Sequence, residues 1–403
     1  MTAGANRNPL SLRKRVLFSV ITGIIVIVVI GVVAEAFTRM KGFTPLISTP
    51  LIISIEPPGS YFTAHPTRGW SHLPGEFKLT IAGPYSFRVT HANNGLRITH
   101  PLDVKTEANK PEIWLFGCSF THGWRLNDEE TYPWLLQQNL KDYEVVNFGV
   151  DGYGSVQSLI QFQESLKARK KPVIVVFAYA WFHDPRNVLT RSWKKALFIN
   201  NRLGAVNYPY GSLDTDNNLV LHNEPLEYLG FPLLRHSALA NLLDEKYDAS
   251  LEGSYRQHEV SQAVVAEFWN LSKANGIEFV LAGVYPDPLA TEMLHDFNAK
   301  GALTVDISVD MTLPENANMP YDAHPSAKAD KQFAQKLEAF ILALVATVMV
   351  SGSCPLARRV RMLLVSERTA YPLSRWGAHH MAYSSSRAAS CQPKYLQSAR
   401  PSR

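Results

Sequence analysis

The run Ile113, Trp114, Leu115, Phe116, Gly117, Cys118, Ser119, Phe120, Thr121 ends an apolar stretch on a glycine and then delivers a serine. A hydroxyl in that position lies at the rim of whatever sheet the stretch joins, and it becomes a nucleophile only beside a base. Far along the chain, Tyr321, Asp322, Ala323, His324, Pro325 supplies a carboxylate and an imidazole two positions apart. In an extended loop, residues i and i+2 share a side. Asp322 can then hold the tautomer of His324 while the other ring nitrogen faces Ser119. The predicted chemistry is serine-based acyl transfer, in the chain order Ser, Asp, His. Taken singly, a serine after a strand is a turn residue and a DxH before a helix is an N-cap arrangement. The chemical reading rests on their falling together at strand ends.

The elements that must position these residues show in the apolar pattern from Glu112 onward. Strand-like runs at 112–117, 143–149, 172–179, 277–285 and 302–308 alternate with amphipathic stretches near 131–140, 155–169, 256–275, 288–300 and 326–346. This alternation predicts a doubly wound parallel sheet, which places ligands in the loops after 117, 149, 179 and 308. Gly152 and Gly154 read as a helix-entry turn before Ser155, compatible with presenting an N–H to an anion. Residues 186–255 interrupt the pattern with Trp193, Phe198, Tyr208, Tyr210, Tyr228 and Phe231. They read either as a cover for the site or as a surface excursion packed on the sheet. Before the sheet, period-two residues between Gly75 and Thr99, around Gly83-Pro84, predict a β-hairpin prelude.

Three blocks, Gly117 to Thr121, Asn147 to Gly154 (NFGVDGYG) and Asp322 to Pro325, resemble those of the SGNH, or GDSL-like, hydrolase superfamily over residues 66–346. The segments RGWSHLPG and NNGLR resemble those preceding this domain in membrane-anchored bacterial members. The resemblance implies an α/β fold, a three-layer αβα sandwich with a five-stranded, flavodoxin-like parallel sheet. It implies Ser119 as nucleophile and first oxyanion donor, Gly152 as second donor, and His324 with Asp322 as the base pair. Two positions depart from the family pattern. Cys118 stands where the family has Asp and reads as a small packed residue, with a cysteine nucleophile as the sharper alternative. After the third strand the family's Asn donor is missing from Ala180, Trp181, Phe182, His183, Asp184; His183 stands closest to its place, and Asn187 follows a few residues later. His122 and Trp124 read as packing residues near the pocket.

Charge and composition narrow the setting. The chain of 403 residues carries a net +5, but residues 351–403 hold nine Lys/Arg against one Asp/Glu, leaving 31 against 34 in the body. That body shows no basic stripe for nucleic acid. Cys118 is the body's single cysteine, so no disulfide framework is expected. The 13 histidines include no HExxH and no helical His pair with a carboxylate partner at metal-ligand spacing, so no metal is expected, nor any other cofactor. Nineteen uncharged residues from Val16 to Ala34 span about 28 Å as a helix, close to a bilayer's core. Arg7, Arg13, Lys14 and Arg15 precede them, which predicts an N-in anchor with the catalytic part periplasmic or extracellular. A signal peptide cleaved near Ala34 and Ala36, and a buried core helix, are the competing readings.

The expected organisation is a basic N-terminus (1–15), anchor (16–37), linker (38–65), β-rich prelude (66–110), hydrolase domain (111–350) and disordered tail (351–403). A second membrane helix at 340–350 would be too short. The expected function is an esterase or acyltransferase acting on O-acyl groups, chiefly O-acetyl, of a cell-surface or exported polysaccharide. The alternatives are a lipase or lysophospholipase working beside the membrane, and a catalytically weakened carbohydrate-binding or assembly protein.

Overall fold

The structure, a computed structural model, describes residues 11–47, 52–81, 85–104, 110–200, 203–319 and 322–351. The chain divides into two units, residues 1–49 with 229–250 and residues 50–228 with 251–403.

In the first unit the helix Leu12–Met40 is long and apolar enough to cross a membrane, and its apolar window is wholly unburied by protein. Near its end Glu35 caps a second helix, Ala238–Leu251. Its carboxylate accepts from the N–H groups of Ala238 and Leu239, each at 2.9 Å, and from the Ser237 hydroxyl at 2.7 Å. A carboxylate at a helix N-terminus satisfies donors that have no intrahelical acceptor.

The second unit begins with β1 (Ile52–Glu56), β2 (Phe62–His65), β3 (Gly69–His72), β4 (Gly75–Ile81) and β5 (Tyr85–His91). β4 and β5 are the expected hairpin, its Gly83-Pro84 turn lying outside the described residues. β1 pairs antiparallel with β4, and β2 pairs with β3. The expected linker 38–65 is therefore partly folded, because β1 satisfies its backbone on the edge of β4 and Tyr61 is buried with Phe77, Leu79, Phe87 and Val89. Trp124 completes that core.

The main sheet consists of β6 (Glu112–Phe116), β7 (Glu144–Asn147), β8 (Ile174–Tyr179), and, after the hairpin β9 (Asn207–Leu213) and β10 (Leu219–Pro225), β11 (Glu278–Gly283) and β12 (Leu303–Asp306). Its order is β12-β11-β8-β6-β7, all parallel. Alternation along β6 sends Ile113 and Leu115 to one face, against the helices Tyr132–Asn139 and Ala327–Ser351. Trp114 and Phe116 face the helices Ser155–Ala168, Gln257–Ala274 and Pro288–Lys300. The unit is thus a three-layer αβα sandwich. Its order reverses between β6 and β8, and loops leaving the two strands diverge there to open a crevice.

The hairpin β9–β10 packs on the helix layer rather than over that crevice: Gly211 lies against Val156 and Val260, and Tyr208 packs on Trp70. The last helix buries Phe333, Leu337, Phe340 and Ile341 on the sheet. The expected tail, beyond Ser351, lies outside the described residues.

Arg97, within the NNGLR segment, joins the prelude to the sheet. Its side chain is fully buried and its Nε lies 3.1 Å from Asp128 Oδ1. The same guanidinium donates to the carbonyls of His122 (2.9 Å), Gly123 (2.6 Å) and Leu126 (2.6 Å). Removing one member of a buried, hydrogen-bonded pair strands the other. Arg97→Met is therefore expected to lower stability by about 3–5 kcal/mol, read from the denaturant midpoint of the chain in detergent.

Candidate active site

Ser119 opens the single-turn helix Ser119–His122 directly after β6. As the first helical residue, its N–H has no acceptor within the helix. The turn is unusually tight. A Cβ on Gly117 would lie 2.1 Å from Thr121 Oγ1, and one on Gly149 would lie 2.3 Å from the His122 nitrogen, so only glycine permits these approaches. Asn147 fastens the loop after β7 to this turn, donating to the Thr121 carbonyl at 3.0 Å and accepting from Gly149 N–H at 2.9 Å.

Across the crevice, Ser119 Oγ lies 2.8 Å from His324 Nε2, and His324 Nδ1 lies 2.5 Å from Asp322 Oδ1. The two-residue spacing works as expected, and the His324 backbone N–H also donates to Asp322 Oδ1 at 3.0 Å. Sequence reasoning missed what holds the carboxylate's other oxygen. Trp124 Nε1 donates to Asp322 Oδ2 at 3.0 Å, and Arg125, at a left-handed φ of 71°, places Nη1 at 3.8 Å. Trp124 is thus a packing residue and a donor at once.

Burial raises the pKa of Asp322, but the facing imidazole, its hydrogen bonds and the Arg125 guanidinium outweigh burial and hold it at about 2. A carboxyl whose pKa is depressed by folding stabilises the fold above its unfolded value. That contribution disappears as pH falls through the folded one. The stability difference between wild type and Asp322→Asn is therefore expected to shrink by about 2 kcal/mol between about pH 4 and pH 2, as read from urea midpoints.

The remaining residues of interest are placed as follows. Gly152 has a φ of 80° and lies under Trp70, where a Cβ would come within 3.0 Å of the indole. Trp70 Nε1 donates to the Asp151 carbonyl at 2.9 Å and so fixes the loop. Cys118 is buried in the core, which pushes its thiol above the usual range. Asn187 is fully committed elsewhere: its Oδ1 accepts from Val156 N–H at 3.1 Å and its Nδ2 donates to Ser261 at 2.8 Å. It does not reach in as a donor in this conformation. His183 is buried, with Nδ1 3.4 Å from Ser155 Oγ and Nε2 without a partner among the described residues. Burial, reinforced by the nearby Arg186 charge, keeps that ring neutral. Phe120 is centred 5.4 Å from His324, and Phe182 and Tyr285 pack on Phe120 at 5.3 and 6.2 Å.

A second cluster was not legible in sequence. His72 on β3, His91 at the end of β5 and His122 at the end of the nucleophile turn meet with Tyr61 and Asp151 in the interior. Burial drives both His91 and His122 below the ordinary imidazole range, His122 to about 3.

No family model matches this sequence, and no curated protein does. Among solved structures, a GDSL-family lipolytic protein from Desulfitobacterium hafniense shares 15% identity, with 57% of this chain and 98% of that one covered at a TM-score of 0.32. The psychrotrophic esterase EstA from a Pseudoalteromonas species shares 14% (58% and 98% covered, TM-score 0.35). An acetylxylan esterase from Geobacillus stearothermophilus shares 14% (58% and 94% covered, TM-score 0.33).

Proposed function

We propose that this chain is a membrane-anchored serine hydrolase of the SGNH type, acting outside the cytoplasm on short O-acyl esters, chiefly O-acetyl groups of a cell-surface or exported polysaccharide. The observation that carries the reading is the continuous contact from Ser119 Oγ through His324 to Asp322, at 2.8 and 2.5 Å. In the first step His324 Nε2 takes the Ser119 proton as Oγ attacks the ester carbonyl, and Asp322 stabilises the imidazolium formed. The oxyanion receives the N–H groups of Ser119 and Gly152, with His183 Nε2–H assigned as third donor. His324 then protonates the departing alcohol. Water, or a sugar hydroxyl in the transferase variant, repeats the sequence on the acyl-enzyme.

The partly exposed rings of Phe182 and Tyr285, packed on the Phe120 that contacts the base, favour a small acyl group and a flat substrate face. The acetylxylan esterase among the similar structures gives the same class of ester. Arg7, Arg13, Lys14 and Arg15, ahead of the apolar run that starts at Val16, favour an N-in anchor.

The test is a p-nitrophenyl ester series with the chain in detergent. Acetate is expected to exceed octanoate in kcat/KM. The reverse order would favour a lipase-type substrate, and background rates on every ester and on an acetylated oligosaccharide would remove the hydrolase reading.

A further inference from the structure

We propose that His72, His91 and His122 form a binding site for one divalent transition-metal ion of the zinc class, with Asp151 and the Leu73 carbonyl orienting the ligands. One ring nitrogen from each histidine lies within 4.8 Å of the others, and all three residues are at most 3% exposed.

The protons of the three neutral rings cannot meet all of their close contacts. His91 Nδ1 lies 2.9 Å from the Leu73 carbonyl, which only accepts, so Nδ1 carries the proton and Nε2 is a lone pair. That lone pair faces His122 Nε2 at 3.0 Å. If His122 donates from Nε2, its Nδ1 becomes a lone pair 3.0 Å from Asp151 Oδ1, acceptor against acceptor. If the His122 proton sits on Nδ1, on the Asp151 side, its Nε2 lone pair confronts that of His91. Neither neutral tautomer satisfies both contacts. The Tyr61 hydroxyl, 3.2 Å from both His122 Nε2 and Asp151 Oδ2, has one proton for two acceptors and does not remove the conflict.

A cation does. With the His122 proton on Nδ1, 3.0 Å from Asp151 Oδ1 but outside hydrogen-bond geometry, and His72 Nε2 donating to Asp151 Oδ2 at 3.2 Å, each ring keeps a lone pair on its other nitrogen. His72 Nδ1, the lone pair this leaves, is buried without a partner among the described residues. Metal-binding histidines are held in this way, the second ring nitrogen fixed by a carboxylate or carbonyl. Three imidazoles suit zinc, and also cobalt or nickel. Tetrahedral ligands at zinc distances are about 3.3 Å apart, so the His91 and His122 nitrogens, 3.0 Å apart, already nearly fit, and the His72 ring, stacked on His91 at 4.5 Å and 14°, must rotate to bring its Nδ1 in. A water or the Tyr61 hydroxyl fills the fourth position. The ion would tie β3, β5 and the nucleophile turn together, and through Asp151 the loop that carries Gly152.

The experiment uses the full chain in detergent, stripped with chelator and titrated with zinc by calorimetry, and with cobalt by absorbance. One equivalent is expected, with the intense d–d bands of a four-coordinate cobalt site. His91→Ala and His122→Ala should each weaken binding by at least about 100-fold and Asp151→Asn by about 10–100-fold, while His100→Ala leaves it unchanged. Circular dichroism checks that each variant is folded, and if the histidine variants unfold, the wild-type cobalt bands decide. Weak six-coordinate bands, no uptake by folded wild type, or uptake retained in folded His91→Ala and His122→Ala would overturn the site. So would imidazole nitrogen resonances showing His122 doubly protonated without metal uptake, because a proton would then resolve the conflict.

Discussion

Ser119→Ala is expected to lower kcat/KM toward p-nitrophenyl acetate by about 10⁴-fold or more while leaving the fold intact. The hydroxyl occupies the one position at the β6–β8 divergence that faces His324 Nε2, and removing it deletes a single polar contact of 2.8 Å. The loss in stability should stay near 1 kcal/mol, because the imidazole is a quarter exposed and water can reach it. A large kinetic change with little thermodynamic change separates a reacting group from a structural one. Comparable rates for the variant and wild type would remove Ser119 as nucleophile.

Asp322→Asn should cost about 10⁴-fold in kcat with KM nearly unchanged. Every close polar neighbour of this carboxylate is a donor: the Nδ1–H and backbone N–H of His324, the Trp124 indole N–H and the Arg125 guanidinium. An amide cannot accept from all of them. If its oxygen faces His324, its NH₂ confronts Trp124 and Arg125. If it flips, the NH₂ faces Nδ1 and forces the proton onto Nε2, where the ring can no longer take the Ser119 proton. Steady-state kinetics decide this, and a loss of only a few-fold would show that the tautomer is set elsewhere.

Much of the scaffold is written into the chain locally. β6, β8 and β11 carry apolar runs of four residues or more, β7 and β12 shorter ones, and their helices alternate with them at the expected period, so the sheet's strands were legible to within a few residues. Ser119, Asp322 and His324 were legible because two of them are neighbours and the third ends a strand. Side chains whose partners are distant in sequence were not. Trp124 and Asp322 are 198 positions apart, and no local pattern pairs them. His72, His91 and His122 each come from a different element, without the short spacing that marks ligands on one helix. β1 and β2 were hidden because short strands set among the Ser, Thr and Pro residues of 42–67 resemble linker until their partner strands are known.

Arg97 makes the region before β6 something other than a separable module. Its guanidinium supplies the carbonyls of Gly123 and Leu126, immediately after the nucleophile turn, with donors from outside the αβα sandwich. A chain cut to begin at Pro111 would retain every residue assigned to catalysis and all five parallel strands, yet those carbonyls would lose their buried donor. Recombination that exchanged the sandwich between proteins would therefore have to carry residues 52–104 with it. The unit of inheritance is larger than the unit of chemistry.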